Sequence, residues 1–321
     1  MRQGHWYLAR AFQSPIAGGR ATGDAESRPL GILLSNRNAG GFVKLLRYST
    51  PDGKEGFGIY SKGEATDLSS SYAGFAEFVS DLPNLGTPST SGGAKVQVAE
   101  SRFLPPADRR SKILCMAVNY YSHIKEMHED KTQEPILFAK FFTSLTGPYS
   151  PIPRFSISQI MDYEGELAVV IGSPARNVRR EDAWGHVAGF TLLNDMSARS
   201  LFKVPQGSGI MKDWFSCKAI DHSTPVGPWI VTPDEAGDFA SLHVETFLNG
   251  EKVQSGSAAD MVFDVPKIIE HASSRLTLEP GDIISTGTPS GVGVSRKRTL
   301  ERGDAIEVRA EGIGNLKNQI I

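Results

Sequence analysis

Residues 161–172 read Met161-Asp162-Tyr163-Glu164-Gly165-Glu166-Leu167-Ala168-Val169-Val170-Ile171-Gly172. The stretch enters with charge and ends apolar, and it reads as one β-strand. Side chains alternate along a strand, so Glu164 and Glu166 point to the same face. Val169, Val170 and Ile171 are β-branched and run into Gly172, as suits a buried strand that stops at a turn. Two carboxylates side by side repel each other unless they are solvated, protonated or bridged by a cation. A hard divalent ion takes oxygen ligands, usually a few carboxylates plus waters and substrate oxygens. From these residues alone, a solvated acidic face and a cation site are both open.

The chain as a whole excludes several classes. Its 321 residues are 40% hydrophobic and 22% charged, with a net charge of −2. That composition supports a sizeable core. It gives no basic field for nucleic acid. No run approaches the roughly 20 apolar residues of a membrane span. Cys115 and Cys217 are the only cysteines. Two thiols make no disulfide framework, and a cytoplasmic location is the simpler expectation. Mitochondria are the alternative, because residues 1–41 carry Arg2, Arg10, Arg20, Arg28 and Arg37, no lysine, and only Asp24 and Glu26 as acids. Transit peptides share that bias. Asp24, Glu26 and the scattered glycines spoil an amphipathic helix, however, so 1–41 reads as a flexible extension.

Working outward, a hairpin is expected from 42–48 and 56–60 around the turn Pro51-Asp52-Gly53-Lys54, followed by a helix over 75–82. These form a small N-terminal module, 42–105. The remainder, 106–321, reads as a second, larger domain. Within it the apolar run 113–118 is a buried strand that opens into a segment placing His123 and Glu126 on one helical face, three apart. The strand 187–193 ends at Asn194-Asp195, where a functional side chain commonly sits; an Asx-type cap is the other reading of Asp195. Residues 204–213 read as a Gly-containing loop, 242–248 as a half-buried strand, and 265–274 as a helix. No internal repeat occurs, and the glycines from Gly287 to Gly293 open no helix, which makes them a poor phosphate loop.

Taken together, the motifs resemble the fumarylacetoacetate hydrolase superfamily. The resemblance rests on Asn119-Tyr120…His123…Glu126, Asp162-Tyr163-Glu164-Gly165-Glu166-Leu167 and Asn194-Asp195-Met196-Ser197-Ala198-Arg199. It continues with Lys218 ahead of Pro225-Val226-Gly227-Pro228, and with Thr286-Gly287-Thr288-Pro289. Their order covers nearly the whole chain beyond the N-terminal extension. The resemblance implies an α+β, β-rich fold: a mixed β-roll catalytic domain carrying a small N-terminal β/α module. It implies Mg²⁺ or Mn²⁺ held by Glu164, Glu166 and Asp195. It implies catalytic roles for His123, Glu126 and Lys218, and substrate contacts from Arg199 and Thr288. Lys218 would stabilise developing negative charge. His123 would act as a base oriented by Glu126. A solvated surface lysine and an inert helical histidine are the plain alternatives; His128 reads as such a histidine.

The expected partner is a small 2-oxo or diketo acid, with a homodimer as the assembly. The expected activity is hydrolysis of a C–C bond in acylpyruvate-like or 2,4-diketo acids, as in the catabolism of aromatic compounds. Decarboxylation, isomerisation or hydration on the same scaffold is the nearest alternative, and a non-catalytic binding protein the more distant one. Two departures bear on the substrate. After Arg199, Ser200, Leu201 and Phe202 replace the acidic and amide groups of many relatives, and Asp213-Trp214-Phe215 adds an aromatic wall. Finally, 119–130 has few apolar anchors, Ile124 and Met127, and is expected to be a mobile lid that closes as a short helix.

Overall fold

The strand Gly165–Ile171 is buried at every residue. In the computed structural model, which describes residues 44–85, 93–206 and 209–321, it sits near the middle of a twelve-stranded sheet. It pairs antiparallel with Val187–Asn194 on one side and with Ile283–Ser285 on the other. Thr224–Val231 follows antiparallel on Val187–Asn194, and Ile113–Met116 runs parallel to Ile283–Ser285. The expected extension, 1–41, lies outside the described residues.

Side-chain alternation explains why this strand is central. Leu167, Val169 and Ile171 enter one apolar cluster, and Ala168 and Val170 enter another. Both faces are dry, so the sequence reads as a continuous apolar run. One face meets a second sheet, in the order Glu251–Ser257, His243–Leu248, Ala305–Ala310, Gly314–Gln319. Val244, Val308 and Leu316 of that sheet join the first cluster, as do Ile268, Ile269 and Ala272 of the helix Val265–Ser273. That helix starts cleanly because the Asp264 side chain accepts a hydrogen bond from the Lys267 N–H and a proline sits in its first turn. The other face of the large sheet meets Phe75, Phe78, Val79 and Leu82 of the helix Phe75–Leu85. Each such side chain contributes roughly 1.5–3 kcal/mol when fully buried.

The result is β-rich with short helices, as expected. The hairpin Lys44–Ser49 and Glu55–Ser61 forms as read, and Lys44 and Leu45 pair with Val231 and Ile230. Residues 44–104 therefore supply strands to the same sheet that carries the acidic motif.

Two local expectations are corrected. The stretch 161–172 is not one strand: Met161–Asp162 pairs with Ser197–Ala198, and Tyr163 and Glu164 form the break before Gly165–Ile171. The segment 204–213 is not an open loop but a hairpin, Lys203–Gln206 with Gly209–Lys212. Every strand residue in it is exposed, so it has no buried face from which an alternating pattern could arise.

Gly165 separates the two acids for a steric reason. A Cβ there would lie 2.1 Å from Thr246 Oγ1 and 3.1 Å from Val308 Cγ1, both on the second sheet. Gly165→Ala should therefore push the two sheets apart and destabilise the fold by about 1–3 kcal/mol. A urea-denaturation midpoint unchanged from the parent would refute this account of the Glu-Gly-Glu spacing.

Candidate active site

Three acids converge at the end of the large sheet. Glu164, Glu166 and Asp195 are all buried, and each offers an oxygen within 4.8 Å of the others. Glu164 is fixed by its backbone: its N–H donates to Asn194 Oδ1 at 3.0 Å, and its carbonyl accepts the Asp195 N–H at 2.9 Å. The end of the neighbouring strand thus sets the distance between two of the acids. Glu166 Oε2 accepts from Ser285 Oγ and from the Gly287 N–H. Gly287 has φ +94, and a Cβ there would meet Asn119 Cβ at 2.9 Å, so this donor position suits glycine alone.

Cations surround the acids. Lys218, itself buried, donates to Glu164 Oε2 at 2.7 Å and to Asp195 Oδ2 at 2.6 Å. Arg199 donates to Glu164 Oε1 and, through Nε, to Asp162 Oδ2 at 2.9 Å. Lys140, with a fully buried side chain, donates to Asp195 Oδ1 at 2.7 Å. Burial works against the Glu164 carboxylate, yet Arg199 and Lys218 outweigh it and bring its pKa down to about 2. Burial likewise opposes the Lys218 ammonium, and Asp195 and Glu164 more than reverse that, holding it charged. Glu166 lies on the other side of the balance. Burial, reinforced by the charges of Asp195 and Glu164, pushes its carboxyl well above the ordinary range.

Glu166 Oε1 is buried and has no hydrogen-bond partner among the described residues. Counting Asp162, four carboxylates face three cations, Arg199, Lys140 and Lys218. An orphaned carboxylate oxygen, an all-oxygen donor set and one carboxyl, Glu166, without a cationic partner fit a hard divalent cation. The residues present can therefore hold a metal.

The lid segment is a formed helix, Tyr121–Met127. His123 Nδ1 lies 3.1 Å from Glu126 Oε2, which leaves Nε2 to face chemistry. Glu126 Oε1 accepts the Gly291 N–H at 2.8 Å, and Ser122 Oγ accepts the Ser290 N–H at 3.2 Å. Burial raises the Glu126 carboxyl, but its bonds from His123 and the Gly291 N–H prevail and hold it below its usual value. At the root, Asn119 donates to Phe263 O at 3.0 Å and to Thr286 O at 2.8 Å. Counting only Ile124 and Met127 as anchors thus understates what holds this segment, because its anchors are largely polar and lie far away in sequence. His128 ends the helix in the left-handed region at φ 52.

Six of the eight expected residues, His123, Glu164, Glu166, Arg199, Lys218 and Thr288, line one cavity, and Glu126 reaches it through His123. Asp195 is the eighth, reached through Lys218. The Thr288 hydroxyl is already engaged, donating to Gly165 O at 2.9 Å and accepting from Gln254 at 2.8 Å. The remaining wall is aromatic: Trp214 stacks on Phe138 at 4.9 Å and meets Phe202 edge-on at 4.7 Å. Asp213 caps the short helix Trp214–Lys218, its carboxylate accepting from the Ser216 N–H and hydroxyl at 2.9 Å and 2.7 Å.

Sequence reasoning missed Lys140 and gave Asp162 no role. A lysine ending an apolar strand was the available signal for the first. Asp162 accepts the Gly293 N–H at 2.6 Å and the Val294 N–H at 3.2 Å besides holding Arg199, so it ties the glycine-rich stretch to the site.

Comparison with known proteins places this geometry. The family described as "Fumarylacetoacetate (FAA) hydrolase C-terminal" matches residues 112–321. A human protein named a mitochondrial oxaloacetate tautomerase is 37% identical over 290 residues, covering 90% of this chain and 86% of its own. A Bacillus subtilis oxaloacetate tautomerase is 40% identical over 235 residues, covering 71% of this chain and 76% of its own. The solved structure of a fumarylacetoacetate hydrolase from Exiguobacterium antarcticum is 36% identical, with a TM-score of 0.73, over 87% of this chain and 99% of that one. The chain belongs to the fumarylacetoacetate hydrolase family.

Proposed function

We propose that this protein is a divalent-metal-dependent tautomerase of 2-oxo acids, moving a proton between the oxygen on C2 and the carbon C3. The observation that carries this reading is a histidine with its orienting glutamate, a charged lysine and an orphaned carboxylate oxygen on a single small cavity. The names of the human and Bacillus relatives support proton transfer over the C–C hydrolysis that the motifs alone favoured. Hydrolysis stays as a second reading, since the same His–Glu pair would activate water and the Exiguobacterium structure is titled a hydrolase.

In this mechanism Glu164, Glu166 and Asp195 would hold Mg²⁺ or Mn²⁺, which would supply Lewis acidity to the bound acid. The Lys218 ammonium stays protonated and stabilises the negative charge that develops on the C2 oxygen as the enol loses its proton. His123 Nε2 carries the proton between oxygen and C3, while Glu126 fixes the tautomer. Arg199 orients Glu164, and the lid and aromatic wall exclude bulk water.

Catalysed decay of enol absorbance from oxaloacetate, with no new carboxylic acid and no CO₂, is the expected behaviour. Release of oxalate and acetate instead would establish the hydrolase. His123→Ala should lower kcat by about 10²–10⁴-fold. It should leave the affinity for oxalate nearly unchanged, because oxalate is held by the metal. Equal losses in kcat and oxalate affinity would remove His123 from proton transfer.

Glu166→Gln should weaken Mg²⁺ binding in calorimetry by more than the roughly 10–100-fold that losing a residue behind a ligand costs. Circular dichroism should stay native, because the change also relieves repulsion among the acids. Unchanged Mg²⁺ affinity would show that the metal binds elsewhere.

A further inference from the structure

The cations that line the cavity are not equivalent. Arg199 is held by Asp162 and Glu164, and Lys218 by Glu164 and Asp195, all buried carboxylates. Both are committed within the cluster, and swinging either one out to a distal group would uncover an acid in a dry interior, which is costly. Lys212 differs. It comes from the exposed hairpin, its side chain is 41% exposed, and it lines the same cavity. Its ionic partner is Glu129, 33% exposed and just beyond the lid helix, at 2.7 Å and 2.9 Å. An exposed pair of this kind contributes little to stability, and Glu129 regains water when it is broken.

Among the described residues that line the cavity, Lys212 is the one lysine or arginine besides Arg199 and Lys218. Ser200 is bonded to Ser158 at 2.8 Å, and Phe202 packs edge-on against Trp214, with Lys212 5.9 Å from the Phe202 ring. The charge balance gives the same direction. With Glu166 ionised against a bound divalent cation, the four carboxylates, the three basic side chains and the ion leave a single positive charge, which one substrate carboxylate neutralises. A second carboxylate needs a second cation.

We propose that Lys212 recognises the distal carboxylate of a 2-oxo dicarboxylate substrate, exchanging Glu129 for that carboxylate when the acid enters. This rests on the reading of the cavity as a 2-oxo acid site. Lys212 is then a specificity residue and Glu129 its competitor, parked on the lysine until substrate arrives.

The two residues must consequently act in opposite directions, whereas a pair serving only to latch the lid would give losses or gains of the same sign. The Mg²⁺-loaded full chain is assayed with oxaloacetate and with the monocarboxylate 2,4-dioxopentanoate. Lys212→Met should lower kcat/KM for oxaloacetate about ten-fold more than for the monocarboxylate, chiefly through KM. Glu129→Gln should lower KM for oxaloacetate, and Lys212→Arg should restore part of the preference. Equal effects of Lys212→Met on both acids, or effects of the same sign from Lys212→Met and Glu129→Gln on oxaloacetate, would overturn the proposal. If the parent turns over neither acid, the tautomerase and hydrolase readings fall, and calorimetric binding of the same acids decides this one. A dicarboxylate preference lost in Lys212→Met supports it, and a preference retained overturns it.

Discussion

Lys218 between Glu164 and Asp195 is the interaction on which the rest of the structure depends. Its side chain is 2% exposed, and the two carboxylates it bridges are 8% and 1% exposed. Charges this deeply buried persist only when paired and hydrogen-bonded. Each partner arrives from a different segment. Glu164 precedes the central strand, Asp195 follows its neighbour, and Lys218 closes a five-residue helix. Lys140 ends a strand on the far side of the sheet, and Arg199 starts the turn after the paired strand Ser197–Ala198. The cluster can exist only if the sheet has its register, and any slip would leave several buried charges unpaired. The site is thus also a constraint on the fold.

The floor and the cover of the cavity are held by different physics. The floor rests on strands buried on both faces and largely apolar, with the acids at or near the strand ends. The cover is a seven-residue helix fastened by hydrogen bonds from Ser290 and Gly291 and rooted by Asn119. Polar fastenings at a cavity mouth exchange with water more readily than core contacts do, so the two halves differ in local stability by construction.

This division also explains what could be read from the sequence. Val169, Val170 and Ile171 betray a strand buried on both sides, and the order of the acidic, Asn-Asp and Thr-Gly-Thr motifs carries the family and its acids. What was hidden depends on contacts between distant residues. Nothing near Tyr163 announces that the strand breaks there, because the break is dictated by Asn194 and by the pairing of Asp162 with Ser197. Lys140 looks like an ordinary strand-end lysine until Asp195 is placed opposite it, 55 residues away in the chain. The two strands of the hairpin ending at Lys212 are exposed at every residue and hence carry no periodic signal. The lid's anchors are backbone amides of Ser290 and Gly291, which sequence identity does not reveal.

The Asp213 cap has a mechanical meaning. It stands directly between the exposed hairpin and the helix that ends in Lys218, and it binds Ser216 twice. A cap of this sort fixes where the helix begins whatever the chain before it does. Length or composition can therefore vary in the hairpin while the ammonium group five residues downstream of the cap keeps its place between two carboxylates. The fold thus separates an exposed rim from a buried charge cluster at a single aspartate, so the rim can change without disturbing the cluster beneath.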